Sequence, residues 1–196
     1  ITIEEAISRL KKGNVVAIPT ETVYGLSADM KNSDAIDEIF SLKKRPNTKP
    51  LLTLIHDKTQ ILEFVSGLPP GFDVLTEHFW PGALSLVVPV KVDKVLNNIR
   101  QGFSTAGFRV PNHSLTLDLL KEFGPLVASS ANISGETSPI QASDVEREFG
   151  KNFPVLDGGP CSKKIESTIL EYKNHEWQII RQGAISKAEI EKVLFP

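Results

Sequence analysis

One cysteine in 196 residues, Cys161, excludes an intramolecular disulfide framework and any zinc site built from several thiolates. No uncharged apolar run reaches the length a membrane-spanning helix needs, and no basic stretch followed by an apolar one marks a secretory leader. The chain opens at Ile1 rather than Met, which leaves room for residues missing or removed ahead of it. A cytoplasmic setting with no membrane partner is the expectation. Charge of one sign is also scarce. A formal net charge of −2 lacks the global basic footprint of a dedicated nucleic-acid binder, although a local basic patch stays open.

Several chemical engines are missing as well. There is no G-x-x-x-x-G-K-[ST] phosphate loop, and residues 158–164 resemble one only superficially. No G-x-S-x-G nucleophile elbow occurs. His56, His78, His113 and His175 have no metal-ligand spacing, so each reads as a surface or hydrogen-bonded core residue and no metal ligand is assigned. Cys161 lies in a Gly/Pro/Lys loop and reads as incidental. A covalent mechanism therefore has little support.

What is present is an ordinary soluble composition, with 40% hydrophobic and 23% charged residues, which excludes a disordered chain, a collagen-like repeat and a coiled coil. The length suits one domain spanning residues 1–196. Helical and strand periods alternate nearly to the end, so the expected class is α/β. Thr2 with Glu5 has capping-box spacing ahead of an apolar face of Ile3, Ala6, Ile7 and Leu10, and Gly13 closes that helix. Val15 to Ile18 reads as a buried strand. Ser33 is placed to cap a second helix, which must stop around Arg45 because Pro46 disfavours helical geometry before it. Strands are expected at 51–55, 84–88, 126–128, 168–170 and 177–180, helices at 115–123 and 142–149, and a last helix from the Ser186/Glu189 capping box.

Five segments could carry chemistry. Lys43, Lys44, Arg45 and Lys49 either decorate a helix C-terminus or clamp phosphate, for which Arg offers a planar fork and Lys a compact charge. In Ser104–Pro111, a strand would put Thr105, Gly107 and Arg109 on one face, with Gly107 leaving a gap where a ligand could approach. The alternative is an edge strand with an exposed Arg. The stretch 128–138 runs from a strand straight into serines and an asparagine, at the kind of strand end where open α/β sheets bind ligands; the same residues also make turns. Residues 19–26 form another such strand end, with Thr20–Glu21–Thr22 equally readable as a helix cap. Ser167–Thr168 and Arg181 lie in or beside late strands.

Together these segments resemble the YrdC-like family of threonylcarbamoyl-adenylate synthases. The matching stretches are PTETVYGL (19–26), KKRPNTKPL (43–51), WPGALSLVV (80–88), TAGFRVPNH (105–113), SSANISG (129–135), ESTIL (166–170) and IIRQGAIS (179–186), seven in the family's order across nearly the whole chain. The family's Lys-x-Arg and Ser-x-Asn signature falls on Lys43, Arg45, Ser130 and Asn132. The resemblance implies a single-domain, open, twisted, mixed β-sheet flanked by helices, in the family's short form. It implies a nucleotidyltransferase that turns L-threonine, bicarbonate and ATP into threonylcarbamoyl-AMP and pyrophosphate, with Mg²⁺, for the threonylcarbamoyl modification of adenosine 37 in tRNA.

By that analogy Arg45, Lys49, Thr105, Ser130, Asn132, Ser138 and Arg181 contact the nucleotide, with Lys43 and Arg45 as the catalytic cations. Thr22, Arg109, the backbone at Ala128, and Ser167 hold threonine. The implied partners are the small substrates, downstream tRNA threonylcarbamoyl-transfer proteins, and tRNA or double-stranded RNA. Rival readings are an RNA-binding module centred on the Lys43–Lys49 cations, and a paralogue with another carbamoyl or acyl substrate. His56 lies about two residues later than the family's threonine-contacting histidine would suggest, and no role is carried to it.

Overall fold

The computed structural model describes residues 1–195. Helix α1 (Ile3–Lys11) starts as its sequence predicts, with Thr2 and Glu5 exchanging side-chain and backbone hydrogen bonds. It leads into β1 (Val16–Ile18) and β2 (Gly25–Asp29), then α2 (Ser33–Leu42), β3 (Leu52–Leu54) and a 3-10 turn at Lys58–Glu63. Helix α3 (Phe72–Phe79), β4 (Leu84–Pro89), the short α4 (Asn97–Arg100), β5 (Thr105–Arg109) and α5 (Ser114–Phe123) follow. The chain continues with β6 (Leu126–Ser130), α6 (Ala142–Phe149), β7 (Thr168–Lys173), β8 (Glu176–Arg181) and α7 (Lys187–Leu194).

Local chemistry departs from the sequence expectation in a few places. The cap of α2 is Asn32, whose Oδ1 accepts the Ala35 N–H at 3.1 Å; Ser33 is already helical. Helix α3 carries no capping signal in the sequence, because its N-cap is Gly71 at φ 82°, which has no side chain to cap with. Strand β2 escaped notice because Gly25 to Ala28 are all buried, so it shows no alternation of apolar and polar residues. Thr20–Glu21–Thr22 caps no helix. It forms a buried turn in which Thr20 Oγ1 accepts from the Thr22 and Val23 amides, each at 3.2 Å.

All eight strands form one mixed sheet in the order β1-β2-β6-β3-β5-β4-β7-β8. The β3/β5 and β4/β7 pairs are parallel and the others antiparallel. On one face the larger core gathers Ile36, Ile39 and Phe40 of α2 with Phe72, Leu75, Leu86, Phe108 and Val127. On the other, α1 and α5 cover only one end, through Ala6, Leu10, Leu119 and Leu120 against Val16, Ile18, Leu54 and Leu126. The rest of that second face is not roofed by a helix. This asymmetry creates the cavity.

Candidate active site

Strand register decides which side chains look into the uncovered face. Ser27, Ala128, Leu52, Gly107, Val87 and Glu171 are successive cross-strand neighbours from β2 to β7 and therefore share it. One step along the strands, Leu126, Leu54 and Arg109 are neighbours, as are Ile169 and Arg181. Gly107 sits at the centre of the first row. A Cβ there would run into Leu52 Cδ2 and press to 3.4 Å from Val87 Cγ2, so glycine keeps the floor of the cavity low. Strand β5 is central rather than an edge, and Arg109 is only 5% exposed; the edge-strand alternative for this segment is thereby overturned.

The cavity above this floor holds about 730 Å³, within the range of small-ligand sites. Of the residues singled out from sequence, Thr22, Arg45, Lys49, Thr105, Arg109, Ala128, Ser130, Ser167 and Arg181 line it. Lys43, Asn132 and Ser138 stand behind the wall. Apolar side chains of Leu52, Val87, Phe103, Ile169 and Ile180 share the lining, and Phe103 and Ile180 remain more than half exposed.

Three polar clusters shape the walls. At the end of β5, Arg109 donates from Nε to the Gly82 carbonyl at 2.9 Å and from Nη1 to Thr22 Oγ1 at 3.0 Å. Thr22 Oγ1 lies 2.7 Å from Thr20 Oγ1, which donates to the Val23 carbonyl at 2.7 Å. Since Thr20 spends its proton on that carbonyl, Thr22 is the donor between the two hydroxyls. Arg109 Nη2 completes the cluster 2.7 Å from Glu21 Oε1, with both side chains under a tenth exposed.

The second cluster ties α2 to the end of β6. The ammonium of Lys43, 1% exposed, donates to the carbonyls of Ser130 and, at 2.8 Å, Asn132. The Lys43 carbonyl in turn accepts the Ser134 N–H at 2.8 Å. Asn132 spends its amide on the carbonyls of Ile133 and Glu136. Burial, and then the nearby charge of Arg45, push the Lys43 ammonium down to about 8.

In the third cluster Arg181 grips the Ser167 carbonyl from Nε at 3.1 Å and Nη2 at 2.9 Å, and Nη2 also donates to Ser167 Oγ. Ser167 Oγ lies 2.8 Å from Ser85 Oγ. Beside them Ser138 donates its hydroxyl to Glu166. That bond holds the Glu166 carboxyl below its usual range, helped by the charges of Arg181 and Lys43.

Arg45 reaches the same cavity from a loop, bonded only to the carbonyls of Lys49 at 3.3 Å and Pro50 at 3.0 Å. Desolvation and the repulsion of Arg181 lower its proton affinity. An anion between Arg45 and Arg181 would relieve that repulsion. Carboxylates are few by comparison. Glu166 and Glu171 alone line the cavity, and among the described residues no group of three or more His, Cys, Asp or Glu side chains could hold a metal. These residues do not fit a resident Mg²⁺ site.

Two acids in this arrangement went unassigned in the sequence. Glu166 opens the ESTIL stretch but carries no spacing signal. Glu21 stands between two threonines, and that one buried-strand end with an acid among hydroxyls was the available clue. The loop 158–165 is laid against the same region, with Cys161 N–H on the Ile140 carbonyl and Lys163 N–H on the Glu21 carbonyl. Burial pushes the Cys161 thiol up to about 11, which keeps it protonated and disfavours a nucleophilic role. His56 is not on the cavity wall.

Known proteins resemble this chain in sequence and fold. The chain is 40% identical over 99% of its length to threonylcarbamoyl-AMP synthase of Bacillus subtilis, of which it spans 57%. It is 36% identical over 98% of its length to a putative threonylcarbamoyl-AMP synthase of Mycobacterium tuberculosis, covering 88% of that protein. The crystal structure of Pyrococcus abyssi Sua5 complexed with L-threonine superposes with a TM-score of 0.94 at 36% identity, over 98% of this chain and 57% of that one. Escherichia coli YciO, 17% identical, shares the fold with a TM-score of 0.84. Residues 8–183 match the Sua5, YciO and YrdC family model, described as telomere recombination. The chain belongs to the Sua5/YciO/YrdC family.

Proposed function

We propose that the chain is an L-threonylcarbamoyladenylate synthase, a nucleotidyltransferase using L-threonine, bicarbonate and ATP. One observation carries this reading: a single cavity is lined by the buried, oriented Arg109 and by three further cations, Arg45, Lys49 and Arg181. Arg109 with Thr22 suits a small amino acid, carboxylate to guanidinium and hydroxyl to hydroxyl. The other cations suit a polyphosphate, and Gly107 with Leu52, Val87 and Ile169 gives the nucleotide an apolar floor. Ser130 and Thr105 on the wall, and Ser167 under Arg181, would complete the polar contacts. Lys43 and Asn132 would act from behind, by holding the end of β6. Ser138 would act through Glu166.

In this reaction the neutral amine of threonine attacks the carbon of bicarbonate, and water leaves to give the N-carboxylate. An oxygen of that carbamate attacks the α-phosphorus of ATP and pyrophosphate departs. Neither step needs a protein nucleophile. Catalysis would be positioning of two reactants and neutralisation of developing phosphate charge. Mg²⁺ would enter as the counter-ion of the nucleotide, and no step is assigned to a protein-held metal.

The relatives named for the same product support the reading, as does the threonine complex of the Pyrococcus protein. The product would pass to transfer proteins acting on adenosine 37 of tRNA, and tRNA or double-stranded RNA would be a macromolecular partner. We place the protein in the cytoplasm; among the described residues no helix is long and apolar enough to cross a membrane.

Pyrophosphate release from ATP tests the proposal, run complete and then without threonine or bicarbonate. Release that needs both, with a threonylcarbamoyl-AMP mass, is expected. A folded chain that releases none would refute it, and steeply salt-dependent RNA binding in its place would favour a binding module.

A further inference from the structure

Glu21 belongs to no part of the chemistry above, yet four residues from two distant stretches of chain converge on it. Its Oε1 lies 2.7 Å from Arg109 Nη2, and its Oε2 accepts the Asn112 N–H at 3.1 Å. Its carbonyl accepts from Lys163 N–H at 2.8 Å and Ser162 Oγ at 3.4 Å. The residue is 6% exposed and is not on the cavity wall. It therefore meets Arg109 without lining the cavity.

That position has two physical consequences. Hydrogen bonds from Nε to Gly82 and from Nη1 to Thr22 set the plane of the Arg109 guanidinium before a ligand arrives, and Glu21 Oε1 lies against Nη2 as a charge contact outside hydrogen-bond alignment. The buried carboxylate also offsets the positive charge of Arg109, while among the described residues Arg45 forms no ion pair and bonds only to backbone carbonyls. Net charge decides between ligands here. A zwitterionic amino acid presents a carboxylate beside an ammonium, and suits a receptor whose charges nearly cancel. A phosphate dianion has no positive group and suits an uncompensated cation.

We infer that Glu21 is a positioning and specificity-determining residue, which orients Arg109 and offsets its charge so that this end of the cavity takes a zwitterionic amino acid in preference to phosphate. The inference rests on the proposed threonine site and deepens it.

Calorimetric titration of L-threonine, repeated with inorganic phosphate as competitor, tests it on the whole chain and on Glu21→Gln. Glu21→Gln is expected to raise the threonine Kd by about tenfold or more and to lower the concentration at which phosphate competes. The ATP Kd should stay within about twofold. Loss of threonine affinity without a gain in phosphate competition would overturn the specificity role, because a merely loosened site weakens for both ligands. Unchanged threonine affinity would overturn the inference alone. An unaltered chain that binds no threonine would overturn the proposed function and the inference together.

Glu21→Asp covers a Glu21→Gln chain that does not fold, since it keeps the charge and shortens the reach by one methylene. Threonine binding should weaken by about threefold, with phosphate competition unchanged. Threonine affinity equal to that of the unaltered chain would overturn the positioning role.

Discussion

Arg109 and Arg45 line one cavity and are held in opposite ways. Arg109 ends a central strand, is 5% exposed, and has a separate partner at Nε, Nη1 and Nη2, drawn from two segments of the chain. Arg45 projects from the loop after α2 and is bonded only to carbonyls four and five residues along that loop. The first arrangement is built before any ligand arrives and suits a small molecule that must be placed accurately. The second can move with its ligand, as a long flexible triphosphate requires. Placing both on one cavity wall joins a rigid receptor to an adaptable one, the combination that a reaction between an amino acid and a nucleotide would use.

The largest effect should come from breaking the rigid end. Arg109→Ala should lower kcat/KM for threonine on the order of a hundredfold, consistent with the ~2–5 kcal/mol lost when one partner of a buried charge pair is truncated. It should also destabilise the fold by about 3–5 kcal/mol, because Glu21 is left buried without its counter-charge. Adding Glu21→Gln to Arg109→Ala removes that stranded charge. The double variant should recover part of the stability, read as denaturation midpoint, without recovering threonine turnover. Recovery of both would mean that Arg109 is a structural residue only.

The adaptable end should respond in the opposite pattern. Arg45→Ala should raise the KM for ATP about tenfold, the scale of a lost charge-assisted hydrogen bond. Its unfolding free energy should stay within about 0.5 kcal/mol of the parent, since no other segment depends on it. Steady-state kinetics in each substrate, set beside the melts, checks the division. Equal losses for threonine and ATP in both arginine variants would dissolve the comparison.

Each end was partly legible in the sequence, for different physical reasons. Alternation along β5 gives the shared face of Thr105, Gly107 and Arg109 directly, because a strand has a period of two. Nothing in that period says that β5 is central, which depends on pairing with β3 and β4 from distant parts of the chain. Glu21 was hidden for a similar reason. Its partners Arg109 and Asn112 lie about ninety residues away, and single-sequence spacing carries no such information. Lys43 read as one of a run of cations, yet its ammonium is sealed against Ser130 and Asn132 while Lys44 beside it is exposed. A charge run looks uniform in sequence, and helix geometry then sends its members in different directions.

Lys43 gives the subtlest test, because it joins the two kinds of construction: it comes from the adaptable segment and is buried like the rigid one. Burial brings its ammonium from the ordinary lysine value of 10.5 to about 8. Between those values the unfolded chain holds a proton that the folded chain has released, so this group's contribution to stability rises as pH increases through that window. Its effect on the nucleotide end runs the other way. The loss of the proton removes a positive charge behind the phosphate cations and one donor from the carbonyls of Ser130 and Asn132. ATP affinity, measured by calorimetry at constant ionic strength without threonine, should therefore fall several-fold through pH about 8 while the denaturation midpoint does not fall with it. Lys43→Met should bind ATP more weakly at every pH and lack that limb. A limb that survives in Lys43→Met would move the titration to another group and leave Lys43 as a tether alone.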